Sequence, residues 1–258
     1  MLETALMAER YPVVEPYDSG TLDVTDGHRL YWEMCGAPDG TPAVYLHGGP
    51  GSGCTHRARR SFDPRSYRLC CSTSAGAGAA GLWPATLTPT CRRTRRRTWS
   101  RTSSGCIVMA LCAVTTGTRR ETDWITRDMG RVFPRESEQF ASAVPAAGRD
   151  SDLPGAYARL LADPDPQLRA RAAQQWCTWE DTHMSLAPGW APNLSYRDPE
   201  FQLTFARLVT HYWSQGCFLT EGEILANMHR LADIPAVLIH GRYDVSGPLD
   251  TAWHLHRA

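Results

Sequence analysis

The sequence predicts an α/β fold in which a sheet is interrupted by a helical insertion. Two apolar runs and the region between them carry that prediction. Ala43-Val-Tyr-Leu46 stops at His47-Gly-Gly-Pro-Gly51, and Ala236-Val-Leu-Ile239 stops at His240-Gly-Arg-Tyr-Asp244. Continuous apolar runs ending in glycine read as buried strands with functional loops at their carboxyl ends. From Glu121 to Leu231 the pattern reads as one helix after another. Strand, several helices and strand again is the outline of an α/β core carrying an insertion.

The elements follow in order. Thr21 to Thr25 alternates, Asp26-Gly27 reads as a hairpin turn, and His28 to Glu33 returns as its partner strand. Gly36 to Pro42 is turn-rich and leads into the first apolar run. Helices are expected over 123–140, 153–161, 167–179, 199–213 and 221–231. Their breaks are marked by Pro134, Pro145, Pro154, Pro164, Pro166 and the Pro188–Pro192 loop. A last helix begins near Leu249.

The segment from Leu69 to Ala113 stands apart. No Asp or Glu occurs between Asp63 and Glu121, and Cys70, Cys71, Cys91, Cys106 and Cys112 all fall there. Cys91-Arg-Arg-Thr-Arg-Arg-Arg97 is a basic burst, and 72–81 is rich in Ala, Gly and Ser. No strand or helix period is sustained until Cys106-Ile-Val-Met-Ala-Leu-Cys112.

Composition bounds the function. A chain of 258 residues is one large domain, or one domain with an insertion. Its 42% hydrophobic and 21% charged residues exclude wholesale disorder and fibrous repeats. Lys+Arg and Asp+Glu both number 27, so no global field selects nucleic acid or an anionic membrane. No apolar run is long enough for a transmembrane helix. Met1 to Tyr17 carries Glu3, Glu9 and Glu15 and lacks a basic-then-apolar export pattern, so a cytoplasmic protein is expected. The nine cysteines include no C-x-x-C pair; they make neither a zinc site nor a disulfide framework, and reduced bystander thiols are expected. Every basic residue is Arg, a coding bias toward G and C.

Three motifs bear chemistry. The glycines of His47-Gly48-Gly49-Pro50-Gly51 let backbone N–H groups approach a developing oxyanion, though the same residues fit a tight strand-to-loop turn. Asp244, at a strand end, suits the orientation of a catalytic histidine, and equally a cap or loop salt bridge. In Trp176-Cys-Thr-Trp-Glu180 a carboxylate beside aromatics can hold an ammonium group by charge and cation–π contact, or simply be solvated beside packed indoles. Arg92 to Arg97 could meet phosphate or be a solvated surface. His28, His183, His211 and His229 read as structural or exposed.

At these residues the chain resembles the prolyl aminopeptidases (proline iminopeptidases), α/β-hydrolases with a helical cap. The likeness includes His47 to Gly51, Phe62-Asp-Pro64 with Tyr67-Arg68, Arg119 to Trp124, Trp176 to Glu180, Phe205-Ala-Arg207 with His211-Tyr212, Gly222 to Arg230, and Ile234 to Asp244 through Thr251 to His256. It implies a core from 1–118 and 233–258 and a cap from 119–232. Gly48 and Gly49 would form the oxyanion loop, Asp244 would be the triad acid, and Glu180 would hold the amino group of a proline at a peptide N-terminus. The glycine loop and Asp244 would meet at one mouth of the sheet, roofed by helices that include Glu180. Peptides with N-terminal proline are the implied substrates, with no metal or organic cofactor, no nucleic acid and no membrane.

The chain departs from the family pattern in three places. The G-G-S-W-G nucleophile elbow is absent, and Ser103-Ser104-Gly105-Cys106 lacks the small residues on both sides that such an elbow needs. The catalytic histidine is expected beyond Ala258. A second cap carboxylate would fall where Leu208, Val209 and Thr210 stand. The implied α/β-hydrolase is therefore incomplete, lacking the elbow strand and the C-terminal strand and histidine region.

A reading-frame shift is the hypothesis that would account for the aberrant segment, and resequencing the gene would test it. Taken from the third base of each codon with G/C-favoured codons, Leu69 to Gly76 becomes a leucine- or valine-rich run and then D-Q-R-G. Thr98 to Cys106 becomes L-V-A-D-I-E-R-L, preceded by N-T-T. Both would match what the resemblance leads one to expect there, and on this hypothesis frame would return near Val114 after a gap that removes the elbow. The alternatives to an active peptidase are a defective remnant without nucleophile and base, or a related α/β-hydrolase acting on another amide or ester.

Overall fold

The computed structural model describes residues 10–23, 29–48, 54–73, 109–149, 152–186 and 189–258. The expected Asp26-Gly27 turn, Gly49, the Arg92–Arg97 run and Ser103-Ser104 lie outside the described residues. The chain forms two units, Met1–Cys106 and Ile107–Ala258.

The first unit is a four-stranded mixed sheet. Its strands are β1 (Asp18–Asp23), β2 (Arg29–Gly36), β3 (Thr41–Leu46) and, after the short helix α1 (His56–Arg59), β4 (Tyr67–Ser72). The order is β1-β2-β4-β3. β1 and β2 pair antiparallel, with Leu22 opposite Leu30, as the alternation predicts. β4 runs antiparallel to β2 and parallel to β3. Gly36 ends β2 at φ +84°, and a Cβ there would sit 2.3 Å from the Tyr67 carbonyl oxygen, so only glycine lets β2 turn away beside β4.

β4 corrects an expectation, because it crosses into the segment from Leu69 that showed no sustained period. Leu69 and Cys71 face inward with Cys35 and Ala58, while Arg68 and Cys70 take the other face. A buried cysteine packs as a small hydrophobe, so two adjacent cysteines hide a strand from a reading of periodicity. The same core holds Glu33, only 1% exposed. Arg59 Nε and Nη2 donate to its two carboxylate oxygens at 2.9 Å each, and the Tyr31 hydroxyl adds a bond at 3.1 Å. This bidentate pairing compensates the buried carboxylate, and the hydrogen bonds that Arg59 donates to Glu33 hold the guanidinium pKa above its ordinary value.

The second unit is mainly helical. It opens with β5 (Met109–Cys112), then α2 (Arg119–Thr126), α3 (Pro134–Ser142), α4 (Ala146–Arg149), α5 (Leu153–Leu161), α6 (Pro166–Met184), α7 (Pro199–Ser214) and α8 (Glu223–Ala226). It closes with β6 (Ala236–Ile239), paired parallel to β5, and α9 (Leu249–Arg257). Asp152, Asp165 and Asp198 cap α5, α6 and α7 with their side chains, each helix having proline in its first turn. Thr118 and Glu121 make a reciprocal capping box at the start of α2. The helices close on an aromatic core. Phe140 stacks on Tyr157 at 4.7 Å and on Trp179 at 5.2 Å, and Trp176 meets Tyr157 edge-on at 5.2 Å. Their polar tips are satisfied: Tyr157 Oη donates to Phe140 O at 2.8 Å, and Trp179 Nε1 to Ile125 O at 3.0 Å.

Three further expectations are corrected. Residues 123–140 are not one helix: α2 ends at Thr126, a 3₁₀ turn spans Asp128–Arg131, and α3 restarts at Pro134, whose ring holds Phe133 out of helical geometry. The helix expected over 221–231 breaks at Asn227 and finishes as a 3₁₀ turn, Met228–Leu231. The apolar runs Ala43–Leu46 and Ala236–Ile239 are strands but not buried ones. Val44 and Leu46 are 41% and 46% exposed, and Val237 and Ile239 are 54% and 55% exposed. β3 ends its sheet and β6 belongs to a sheet of two strands, so each lacks a neighbour on one side among the described residues. No described helix is long and apolar enough to cross a membrane.

Candidate functional site

Helix α6 sets out the site. Trp176, Trp179, Glu180 and His183 recur at helical spacing, which brings them to one face. The indoles are buried, and the Glu180 carboxylate stands at the edge of that packing. Its Oε1 accepts from Trp176 Nε1 at 3.1 Å. Its Oε2 lies 3.4 Å from His183 Nε2, but the ring nitrogen is not aligned for a hydrogen bond. Tyr196 adds a third aromatic group nearby; burial, with help from Glu180, pushes its hydroxyl pKa up and keeps it protonated.

His183 reaches in the other direction as well. Its Nδ1 lies 2.7 Å from Ser246 Oγ. The Ser246 and Gly247 backbone N–H groups both point at Asp244 Oδ1, at 3.2 and 3.4 Å. Asp244 thus organises the turn that follows β6. Trp124 Nε1 pins the same turn by donating to Val245 O at 2.8 Å. One polar chain therefore runs from Glu180 through His183 and Ser246 to Asp244, all within the second unit. Asp244 Oδ2 is also 4.0 Å from His240 Nε2, which has a closer neighbour in Gly247 O at 3.1 Å.

Two of the residues singled out in the sequence, Glu180 and Asp244, are thus brought together. His183, read from the sequence as structural or exposed, is buried and joins them with Ser246, which was not singled out. Their signal was positional: His183 falls three residues after Glu180 on one helix face, and Ser246 two residues after Asp244. The place of a second carboxylate on α7 is filled by Leu208, Val209 and Thr210, all turned into the core.

Gly48 belongs to the first unit, where β3 delivers the chain into the glycine loop. It is exposed, and a Cβ added there would meet nothing within 4 Å, so packing does not demand glycine at this position. His47 Nδ1 lies 2.6 Å from Gly48 O. Separately, an open groove of about 660 Å³ in the second unit is lined by Leu238, His240, Leu249, Ala252 and Trp253; Glu180, His183 and Asp244 take no part in it.

Comparison with known proteins decides the family. A protein of Streptomyces coelicolor named probable proline iminopeptidase is 37% identical over 286 aligned residues, covering 96% of this chain and 87% of its own length. Proline iminopeptidases of Xylella fastidiosa and Arabidopsis thaliana are 35% and 31% identical, covering 98% and 96% of this chain and 90% and 73% of their own lengths. The chain belongs to the proline iminopeptidase family. The 286 aligned positions outnumber the 258 residues, so the Streptomyces iminopeptidase has residues with no counterpart here. No family model matches the chain. Among solved structures, an esterase from a Rhodococcus species superposes with a TM-score of 0.42 at 17% identity, covering 95% of this chain and 86% of the esterase, a likeness too slight to add to the family assignment.

Proposed function

We propose that this chain is a serine-hydrolase-type aminopeptidase that releases proline from peptide N-termini. The observation that carries the reading is the polar chain from Glu180 to Asp244. It supports the reading because Glu180, a carboxylate edged by Trp176 and Tyr196 and suited to the ammonium of an N-terminal proline, is linked through it to Asp244, which would orient a histidine base. His183 and Ser246 act as positioning residues between the two. Gly48 and Gly49 would offer N–H groups to the oxyanion formed when a serine oxygen adds to the carbonyl after proline. Collapse of that adduct breaks the C–N bond and passes a proton to the leaving amine; water then frees proline from the acyl-enzyme.

The architecture proposed is an α/β-hydrolase core, from 1–118 and 233–258, with a cap from 119–232. It is supported by β5 and β6, which pair in parallel although helices α2 to α8 lie between them in the chain. The free thiols of the described cysteines accord with a cytosolic protein.

A specific observation favours a second reading, a remnant without turnover. No serine among the 258 residues stands in a G-x-S-x-G elbow, and the surplus of aligned positions fits a lost elbow strand and helix. Purified chain offered proline 4-nitroanilide and a 4-nitrophenyl ester, with a fluorophosphonate probe beside them, separates the readings. The peptidase releases 4-nitroaniline and is labelled on a serine. Glu180→Gln then raises KM for the amide at least about tenfold and leaves the ester unaffected. Ester cleavage without proline release reassigns the substrate. Neither turnover nor labelling identifies the remnant.

A further inference from the structure

We propose that Cys54 and Cys71 form a redox pair that closes to a disulfide when a hydroperoxide oxidises Cys54. The proposal is independent of the peptidase reading. It starts from a cluster in the first unit, where Cys54 Sγ, Cys71 Sγ and a Glu33 carboxylate oxygen all lie within 4.8 Å of one another. The two thiols are hydrogen-bonded to each other.

Their surroundings make them unequal. Cys71 sits in the middle of the sheet on β4 and is 0% exposed. Cys54 lies outside any strand or helix, ahead of α1, and is half-buried. The hydrogen bond from Cys71 lowers the Cys54 pKa against the opposing effect of burial, while the same bond and burial drive the Cys71 thiol far up. Cys54 is thus the more accessible and more acidic thiol and Cys71 the buried partner behind it.

The chemistry balances. The Cys54 thiolate attacks the hydroperoxide, forming an S–O bond, breaking the O–O bond and releasing hydroxide or alkoxide; Cys54 becomes a sulfenic acid. Cys71 sulfur then attacks Cys54 sulfur. The S–S bond forms, the S–O bond breaks, and the hydroxyl leaves as water with the Cys71 proton. Two thiols are oxidised by two electrons, and the peroxide is reduced. The sulfurs must close to about 2.0 Å, and rotation of Cys54 on its loop can supply the movement.

A metal site fits the cluster less well. Both Glu33 oxygens are taken by Arg59, so a cation held there would face a guanidinium. The redox reading also has a structural consequence. β3 pairs with β4, Tyr45 lies opposite Cys71, and β3 runs on into Gly48. A Cys54–Cys71 bond therefore ties the chain beyond the glycine loop to the strand beside the one that leads into it.

The test is peroxide treatment of the full chain, alkylation with iodoacetamide under native conditions, and mass mapping of the peptides. A Cys54–Cys71 cross-link, with alkylation of Cys54 reduced at least about tenfold, supports the proposal. Cys71→Ser should leave a sulfenic acid at Cys54 that dimedone traps. Should that variant fail to fold, Cys54→Ser, at a half-exposed position outside the sheet, should abolish the cross-link and leave Cys71 reduced. Cross-links to Cys35 or Cys70 instead, or over-oxidised Cys54 without a cross-link, overturn it. So does a Zn²⁺ titration in which the metal protects both thiols while peroxide alone never joins them.

Discussion

The helices of the second unit and the strands of both units solve the problem of burial differently. Phe140, Tyr157 and Trp176 are all but inaccessible, pack on one another, and come from the three helices α3, α5 and α6. β3 and β6, equally apolar in sequence, leave Val44, Leu46, Val237 and Ile239 open. A helix needs only one buried stripe and supplies its own backbone hydrogen bonds. A strand of an α/β sheet needs a neighbour on each side and a cover on each face. Helical packing is therefore self-sufficient here, while the strands carry the mark of partners that the described residues do not provide.

Breaking the helical side should have the largest effect. Trp176→Ala removes the indole at the centre of the aromatic core and the donor that holds Glu180. It is expected to cost about 3–5 kcal/mol in chemical denaturation. A loss below about 1 kcal/mol would show that the core repacks freely and would dissolve the contrast with the strands.

An intermediate effect is expected at Glu121, where α2 is tied to the loop that precedes it and to α9. The buried Glu121 carboxylate accepts from Thr116 and Thr118 backbone N–H groups and from the Thr251 hydroxyl. Burial pushes its pKa up, but these donors outweigh burial and hold it below the ordinary 4.5. A depressed carboxylate stabilises the fold fully above its unfolded pKa and loses that contribution as pH falls through the folded value. Stability should therefore decline below about pH 4.5 in the native protein, and Glu121→Gln should remove this component of the decline. Gln also turns an amide N–H₂ toward donors, so about 1–3 kcal/mol should be lost at neutral pH. An unchanged pH profile in the variant would locate the acid sensitivity elsewhere.

The same contrast explains what the sequence made legible. Helix α5 falls where its pattern places it, and the prolines mark the starts of α6 and α7, because these signals are local. The ends of β3 and β6 were legible for the same reason. Their exposure was not, because it depends on which strands lie alongside. β4 was hidden because Cys70 and Cys71 break a familiar vocabulary while keeping the inside–outside alternation. At the site, Glu180 and Asp244 were visible as motifs, one beside aromatics and the other at a strand end. His183 and Ser246 were not, since a hydrogen bond between residues 63 apart leaves no trace in local pattern.

The strand side of the comparison gives the smallest expected effect and the sharpest reading. Val237→Thr with Ile239→Thr keeps β-branched shape and β-propensity while removing apolar surface. If these side chains face water, stability should change by no more than about 0.5 kcal/mol. Self-association, followed by light scattering against concentration, should fall, because apolar strand surface open to solvent invites pairing with other chains. A loss of several kcal/mol would mean instead that this face is covered in solution. The strands would then have the partner their sequence calls for, and the difference between the two kinds of element would vanish.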